Sequence, residues 1–316
     1  MKNKKWLNQL KWLWFAVVIA AAGWYFAINF SEIRVYLASI HIGRILISIL
    51  LLLIAKFMTA DLTFYSLRIT SQPITFQDAF SITAITQLGK YLPGGLWHFA
   101  GKFGVYKARG ASTKGAARPM IIENLWLITS AILTGIITLL ISTSPLPCQL
   151  IPLLCSITNQ VILSVSLLLV WMIAAFIVEQ KVLKARFSPA LHLRLSIEQI
   201  IIWLLFGTSF WLVFPRNTNI NFFLQAVSAF SLSWAAGYAA FFAPGGIGIR
   251  EASMTLLLAA FFPPETTAIY AAIHRLLWVV VEILLALLCM GLFGLPLGLE
   301  QASTQSDDQK AESKQK

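Results

Sequence analysis

The sequence predicts an all-α integral membrane protein with about six full transmembrane helices and two broken, re-entrant helical segments. Three observations predict it. Of the 316 residues, 58% are apolar and 12% charged, whereas an ordinary soluble domain carries about 25% charged residues. Apolar runs of about 20 residues recur along the chain, the length that crosses a hydrocarbon core of about 30 Å. Two further apolar stretches are interrupted by the same tripeptide, Pro93-Gly94-Gly95 and Pro244-Gly245-Gly246, which stops a helix. A soluble domain of this size could not hide so much apolar surface. A soluble enzyme, a disordered chain and a nucleic-acid-binding domain are therefore excluded. The net charge of +11 is expected in loops that face anionic lipid, not nucleic acid.

Taken in order, full spans are expected near 12–30, 44–66, 119–141, 158–178, 197–214 and 268–298, with broken segments near 76–100 and 222–262. The start MKNKK followed by an apolar run resembles a signal peptide. The run continues into Trp24, Tyr25 and Phe26, where cleavage would require small residues, so an uncleaved first span is expected. Residues 1–300 read as one polytopic domain, and the polar tail 301–316 as disordered.

Charge places the loops. Lys2, Lys4, Lys5 and Lys11 precede the first span; Lys90, Lys102, Lys107, Arg109, Lys114 and Arg118 lie in and after the first broken segment; Lys181, Lys184, Arg186 and Arg194 follow the fourth full span. Residues 142–158 carry no charge, and 215–221 carry only Arg216. The N-terminus, 102–118 and 179–196 are thus expected to share the cytoplasmic side, with the C-terminus, in the cytoplasmic (inner) membrane. That holds only if the segment at Pro93 enters and leaves on one side. Each half, 12–141 and 158–298, then reads span, span, broken segment, span, in opposite orientations. This is the inverted-topology arrangement of many transporters, in which paired interruptions point to a central site.

The residues around the interruptions are the candidates for function. Lys90, Trp97, His98 and Lys102 flank Pro93-Gly94-Gly95. Freed backbone N–H groups and cations there suit an anion such as a lipid phosphate; the plainer reading is lysines reaching to head groups and Trp97 anchoring the interface. After Pro244-Gly245-Gly246 come Gly248, Arg250 and Glu251, an ionisable pair in apolar surroundings. The last span holds His274, Arg275 and Glu282. Arg275 and Glu282, seven apart, share a helical face, and each is expected to meet a partner in the broken segments, for example Glu282 with Arg250. Glu123, close to the basic cluster from Lys102 to Arg118, reads most simply as part of a short salt bridge at a helix end. Lys56 and Asp61 form a further intramembrane pair.

Arg34, Arg44 and Arg216 read as outer-loop residues, which leaves Lys56, Arg250 and Arg275 as the misplaced charges. Cys148 and Cys155 share the uncharged outer loop; unpaired thiols are expected, with a disulfide as the alternative, and Cys289 reads as packing. No metal site, cofactor or enzyme activity is expected: there is no Walker loop and no HExxH, and Gly207-Thr208-Ser209-Phe210, with His274 as the only remote base, is not a GxSG protease motif.

The pairing of GKYLPGGLWHFAGK (89–102) with APGGIGIREA (243–252), followed by a span with His274-Arg275, resembles the lysylphosphatidylglycerol synthase transmembrane-region family of flippase-like membrane proteins. The resemblance covers most of 10–298. It implies Pro93, Gly94, Gly95, Lys102, Pro244, Gly245, Gly246, Gly248, Arg250, Glu251 and Arg275 as family-type positions, although Lys102 stands where many relatives carry Arg. It also implies movement of phospholipid between leaflets. The soluble aminoacyl-transferase domain of bifunctional members is not expected here, so lysyltransferase activity is not carried over.

The leading expectation is a lipid translocator that binds an anionic or glycosylated lipid between the broken segments. Lys90, Lys102 and Arg250 would contact phosphate, and Glu251, Glu282 and Arg275 would form a switchable network. Without an ATP site, transport would be downhill or coupled to an ion gradient. The alternative is a non-transporting accessory protein that supports a lipid synthase or glycosyltransferase. A membrane-embedded transferase fits the few intramembrane acids poorly. A homo-oligomer is compatible with either function.

Overall fold

Helix starts follow local capping chemistry. A side-chain acceptor precedes a helix and takes an N–H of its first turn, which would otherwise be unpaired. His41 does so for α1 (Ile42–Ile69) and Thr75 for α2 (Phe76–Gln87), which runs into a 3-10 turn, Leu88–Tyr91. After α3 (Trp97–Ala108), Ser112 caps α4 (Thr113–Ile141). The short α5 (Leu146–Leu150) and a 3-10 turn, Pro152–Cys155, lead to α6 (Ile157–Ile177), which ends in a π-turn, Val178–Val182. Ser188 caps α7 (Pro189–Trp211), followed by α8 (Ile220–Ala239), α9 (Ile249–Leu258) and α10 (Pro264–Phe293). This computed structural model describes residues 40–70, 74–91, 96–142, 144–184, 188–214, 220–240, 246 and 248–294. The expected first span at 12–30, the tail 301–316, and Pro93, Gly94, Gly95, Pro244 and Gly245 lie outside the described residues.

Among the described residues every regular element is helical. Five helices are long and apolar enough to cross a membrane: α1, α4, α6 with its π-turn, α7 and α10. They coincide with the five spans expected from 44–66 onward. On α6, Ile162, Val165, Leu169, Val170 and Ile173 are exposed, a surface that water would penalise and lipid solvates.

The first broken segment folds back on itself. Arg109 pairs with Asp78 at 2.8 Å, Gly101 packs on Thr86, and a Cβ on Gly89 would lie 2.7 Å from the His98 backbone nitrogen. Each of these three pairs is centred between residues 93 and 94, so α2 and α3 form an antiparallel hairpin. Each has 12 residues, about 18 Å of helix and half of a bilayer core. The second broken segment behaves likewise: Gln225 Nε2 donates to the Leu257 carbonyl at 2.7 Å, and a Cβ on Gly246 would lie 2.8 Å from Gly237 Cα.

The packing partners correspond between the halves. The α2 helix packs on α1 and α10, and α8 packs on α7 and α4; α3 lies on α4, and α9 on α10. The α1 helix packs on α7, and near the start of α1 and the end of α7 Ser48 Oγ donates to the Ser209 carbonyl at 2.9 Å and Ser209 Oγ to the Ser48 carbonyl at 3.1 Å. Below them, aromatic side chains of α7, α8 and α10, among them Trp203, Phe210, Phe230 and Trp278, fill the largest core cluster.

The two ends of the bundle differ in charge. Arg68, Lys107, Arg109, Lys114, Arg118, Lys181, Lys184 and Arg194 lie at the end where α1, α3 and α6 finish and α2, α4 and α7 begin. At the opposite end Arg44 stacks on Trp211, with the guanidinium 5.0 Å from the ring centre. There the cysteines depart from expectation: Cys148 and Cys155 are disulfide-bonded, because the bend at Ile151 between two short helical turns brings their Cα atoms to 4.5 Å. Cys289 is a buried free thiol in the core of α10.

Candidate functional site

A cavity of about 120 Å³ lies inside the bundle between the two hairpins. Lys56, Lys90, Lys102 and Arg250 line it, with Glu123, Thr63, Thr83, Gln87 and Asn124 as further polar groups and Phe99, Trp203, Trp234, Tyr238 and Trp278 as aromatic walls. The hairpins place the charges. The 3-10 turn after α2 presents Lys90, the first turns of α3 present Lys102, and the first turn of α9 presents Arg250.

Glu282 of α10 is the hub of one cluster. Its Oε1 accepts from Lys56 Nζ and Lys90 Nζ, each at 2.5 Å, and from Trp278 Nε1 at 2.9 Å; its Oε2 accepts from the Tyr91 hydroxyl at 2.6 Å. Trp278 and Glu282 are four apart and therefore stacked on one helical face. The Lys56 ammonium also lies 3.9 Å from the centre of the Trp278 ring, a cation–π contact. The side chains of Lys56, Lys90 and Glu282 are only 11%, 15% and 2% exposed.

A second cluster is self-contained. Lys102 Nζ donates to Glu123 Oε2 and, at 3.1 Å, to Thr63 Oγ1; Glu123 Oε1 accepts from Ser66 Oγ at 3.0 Å and Tyr106 OH at 3.1 Å. Glu123 is 3% exposed. Its partner comes from the expected basic cluster, but the pair lies in the bundle interior rather than at a helix end.

Arg250 occupies a seat made by two glycines. A Cβ on Gly237 would lie 2.4 Å from Arg250 Cγ, and one on Gly246 would lie 3.0 Å from its Nε. The guanidinium rests 5.6 Å from the Trp234 ring centre. Among the described residues Arg250 forms no ion pair, and its Nε has no hydrogen-bond partner. Gly246 and Gly248 have φ of +72° and +86°, a region that glycine enters without steric cost. Glu251 fixes this turn: its Oε2 accepts the Gly248 N–H at 2.7 Å, and its Oε1 accepts from Arg275 Nη1 at 2.5 Å.

Several sequence expectations are redrawn. Arg275 and Glu282 do each meet a broken segment, but Glu282 takes Lys90 and Lys56 rather than Arg250. Arg250 instead leans on Gly237 and Trp234, which places its charge on the cavity side. Lys56 and Asp61 do not pair with each other. Five residues on a helix turn the side chains about 140° apart, so Lys56 faces Glu282 while Asp61 faces Arg194 of α7. Lys90 and Lys102 are interior residues, not surface lysines. His274 is buried and forms no ion pair among the described residues; its Nε2 lies 3.0 Å from Ser209 Oγ, with Phe210, Phe230 and Trp278 around it. Ser209 is fully buried and bonded to Ser48, so this Ser–His contact joins α7 to α10 inside the core. Trp97 is 56% exposed at the start of α3.

Sequence reasoning did not select Gly237, Tyr91, Asn124, Tyr238 or Trp278. Only Trp278, one turn before Glu282 on the same face, carried a periodic signal. Among the described residues no three His, Cys, Asp or Glu side chains are grouped to hold a metal ion. No protein-family model matches the chain, and no curated protein matches it.

Proposed function

We propose that this chain is a lipid translocator of the cytoplasmic membrane that holds an anionic head group in the central cavity. One observation carries the reading: Lys56, Lys90, Lys102 and Arg250 line the cavity together, and among the described residues the only carboxylates paired with them are Glu123 and Glu282. Lys102 and Glu123 neutralise each other, two lysines share Glu282, and Arg250 has no carboxylate partner among the described residues. Uncompensated positive charge in an apolar bundle is costly. It is retained where an anion completes the site. A phosphate would engage Arg250 and draw Lys56 and Lys90 from Glu282. The aromatic walls would also suit a sugar on the head group.

In this reading the α2–α3 hairpin and the α8–α9 turn are re-entrant segments, the segment at 12–30 is the sixth span, and the halves form an inverted repeat. The swapped packing of the hairpins, each on the last span of the other half, supports it. So does the resemblance of the two Pro-Gly-Gly motifs to the lysylphosphatidylglycerol synthase transmembrane region. The basic end is cytoplasmic by the positive-inside rule, which puts both termini inside.

The test is reconstitution in liposomes with a fluorescent anionic lipid and dithionite quenching of the outer leaflet. Wild-type protein is expected to speed exchange. Lys90→Gln and Arg250→Gln each remove a charge-assisted contact and are expected to slow it about tenfold or more. Wild-type vesicles no faster than empty ones, for anionic and glycosylated lipids alike, would overturn the reading.

A further inference from the structure

A second concavity, of about 410 Å³, runs along the outer surface of the bundle between α3 and α4. Phe103, Met120, Ile121, Leu125 and Ile128 form its apolar floor and sides. Ile121 and Leu125 are 48% and 40% exposed, so the groove opens toward the surrounding lipid. Its polar members are spent on each other: Asn124 Nδ2 donates to the Met120 carbonyl at 2.6 Å, and Asn124 Oδ1 accepts from the Tyr238 hydroxyl. The groove therefore offers nothing to a head group or to water, and its surface suits a hydrocarbon chain.

Phe99, Asn124 and Tyr238 line both this groove and the charged cavity. These side chains form a partition one residue thick, the Phe99 and Tyr238 rings lying 6.2 Å apart, centre to centre. A cationic chamber and an apolar groove on two faces of one wall match a molecule whose charge and chain are covalently joined. All the groove residues on α4 but Ile128, which lies just past its midpoint, fall within the first half of that helix, about 6–18 Å from its start at the basic end. They therefore face the leaflet at that end.

We propose that the α3–α4 groove is the acyl-chain site of an anionic lipid whose head group occupies the cavity, and that Phe99, Asn124 and Tyr238 form the lateral gate between the two. This rests on the anion-binding reading of the cavity and adds where the lipid sits and from which leaflet it loads. Opening the gate breaks the Tyr238–Asn124 hydrogen bond and swings the Phe99 ring aside. The head group then passes into the cavity while the chain stays in the groove.

Photo-crosslinking tests the proposal. Ile121→p-benzoylphenylalanine protein is placed in nanodiscs of equal phosphatidylglycerol and phosphatidylcholine, irradiated, and its adducts are weighed by mass spectrometry. Phosphatidylglycerol adducts are expected to exceed phosphatidylcholine adducts about fivefold, a preference of about 1 kcal/mol. The same probe at Leu287, 55% exposed on α10, is expected to report the bulk ratio. Adding Arg250→Gln is expected to return the Ile121 ratio to bulk. Calorimetry with glycerol 3-phosphate on the wild-type protein separates the two ideas. If glycerol 3-phosphate binds while Ile121 adducts follow the bulk ratio, the cavity stands and the groove proposal falls. If it does not bind, both fall. Adducts to residues 1–39 or to a second copy of the chain would identify another occupant and overturn the proposal.

Discussion

Glu282 accepts from four donors on two other parts of the chain and its own helix, and two of those donors are lysines. The asymmetry of that arrangement sets what each substitution does. Glu282→Gln leaves Lys56 and Lys90 facing each other across a polar cavity without a counter-ion; breaking a buried pair in this way costs about 3–5 kcal/mol. Lys56→Gln or Lys90→Gln alone leaves Glu282 with one cation. Thermal unfolding in detergent is therefore expected to show a large loss for Glu282→Gln and a small one for either single lysine variant; equal losses would mean that Glu282 is not the hub. Gly237→Ala makes a different point, because its Cβ would overlap Arg250 Cγ at 2.4 Å. The arginine has to leave its seat while the helices keep theirs. Anion binding, read by calorimetry with glycerol 3-phosphate, is expected to fall about tenfold with the melting midpoint nearly unchanged. Arg250 and Glu282 were visible in the sequence because ionisable residues stand out in apolar runs. Gly237 was not, because its role exists only once two distant backbones meet.

At the scale of elements, the hairpin of α2 and α3 depends on close backbone approach near its turn and on an ion pair at its mouth. A Cβ on Gly89 would lie 2.7–2.8 Å from backbone atoms of His98 and Trp97, and backbone cannot rotate away as a side chain can. Gly104 lies in the same hairpin with nothing within 4 Å of such a Cβ. Gly104→Ala is expected to stabilise by about 0.5–1 kcal/mol through helix propensity, whereas Gly89→Ala is expected to destabilise clearly; both are read as melting midpoints. At the mouth, burial would raise the Asp78 carboxyl, but hydrogen bonds from Arg109 and Thr75 outweigh it and hold the carboxyl below its ordinary range. A folded-state value below the unfolded one stabilises at pH above the unfolded value and is lost as pH falls through the folded one. The melting difference between wild type and Asp78→Asn is therefore expected in full at pH 6 and to shrink as the pH falls below about 3.9, where an ordinary Asp titrates; a difference that does not shrink on acidification would rule out the ion pair as its source. The five long spans were legible as apolar runs, and the two interruptions as Pro-Gly-Gly. The length of α8 was not, because Asn221, Gln225 and three serines dilute its hydropathy while the bundle buries most of it.

For the whole molecule, the halves are alike in packing but unlike in what they leave open. Pro244 follows Pro93 by 151 positions. At that offset Phe99, Phe103, Met120 and Asn124 of the α3–α4 groove correspond to Arg250, Met254, Ala271 and Arg275 between α9 and α10. The first set borders a groove of about 410 Å³, whereas the second surrounds a void of about 30 Å³. The difference lies in charge. Where one half has Ala100 and Asn124, the other has Glu251 and Arg275, joined at 2.5 Å across α9 and α10. Under the proposed inverted repeat, one lateral groove open and its counterpart closed by an ion pair would be the geometry of alternating access, with this conformation open toward the leaflet at the basic end. Release of the pair should then open the counterpart. In a Cys289→Ala background, Ala271→Cys is buried and is expected to react slowly with N-ethylmaleimide. Adding Glu251→Gln, which removes the carboxylate that accepts from Arg275 Nη1, is expected to raise that rate about tenfold, a population shift of about 1.4 kcal/mol. Met120→Cys in the open groove is expected to show no such rise and serves to detect general loosening of the fold, which would accelerate both positions. An Ala271→Cys rate that Glu251→Gln leaves unchanged would show that the pair only anchors the Gly248 turn and is not the closing contact.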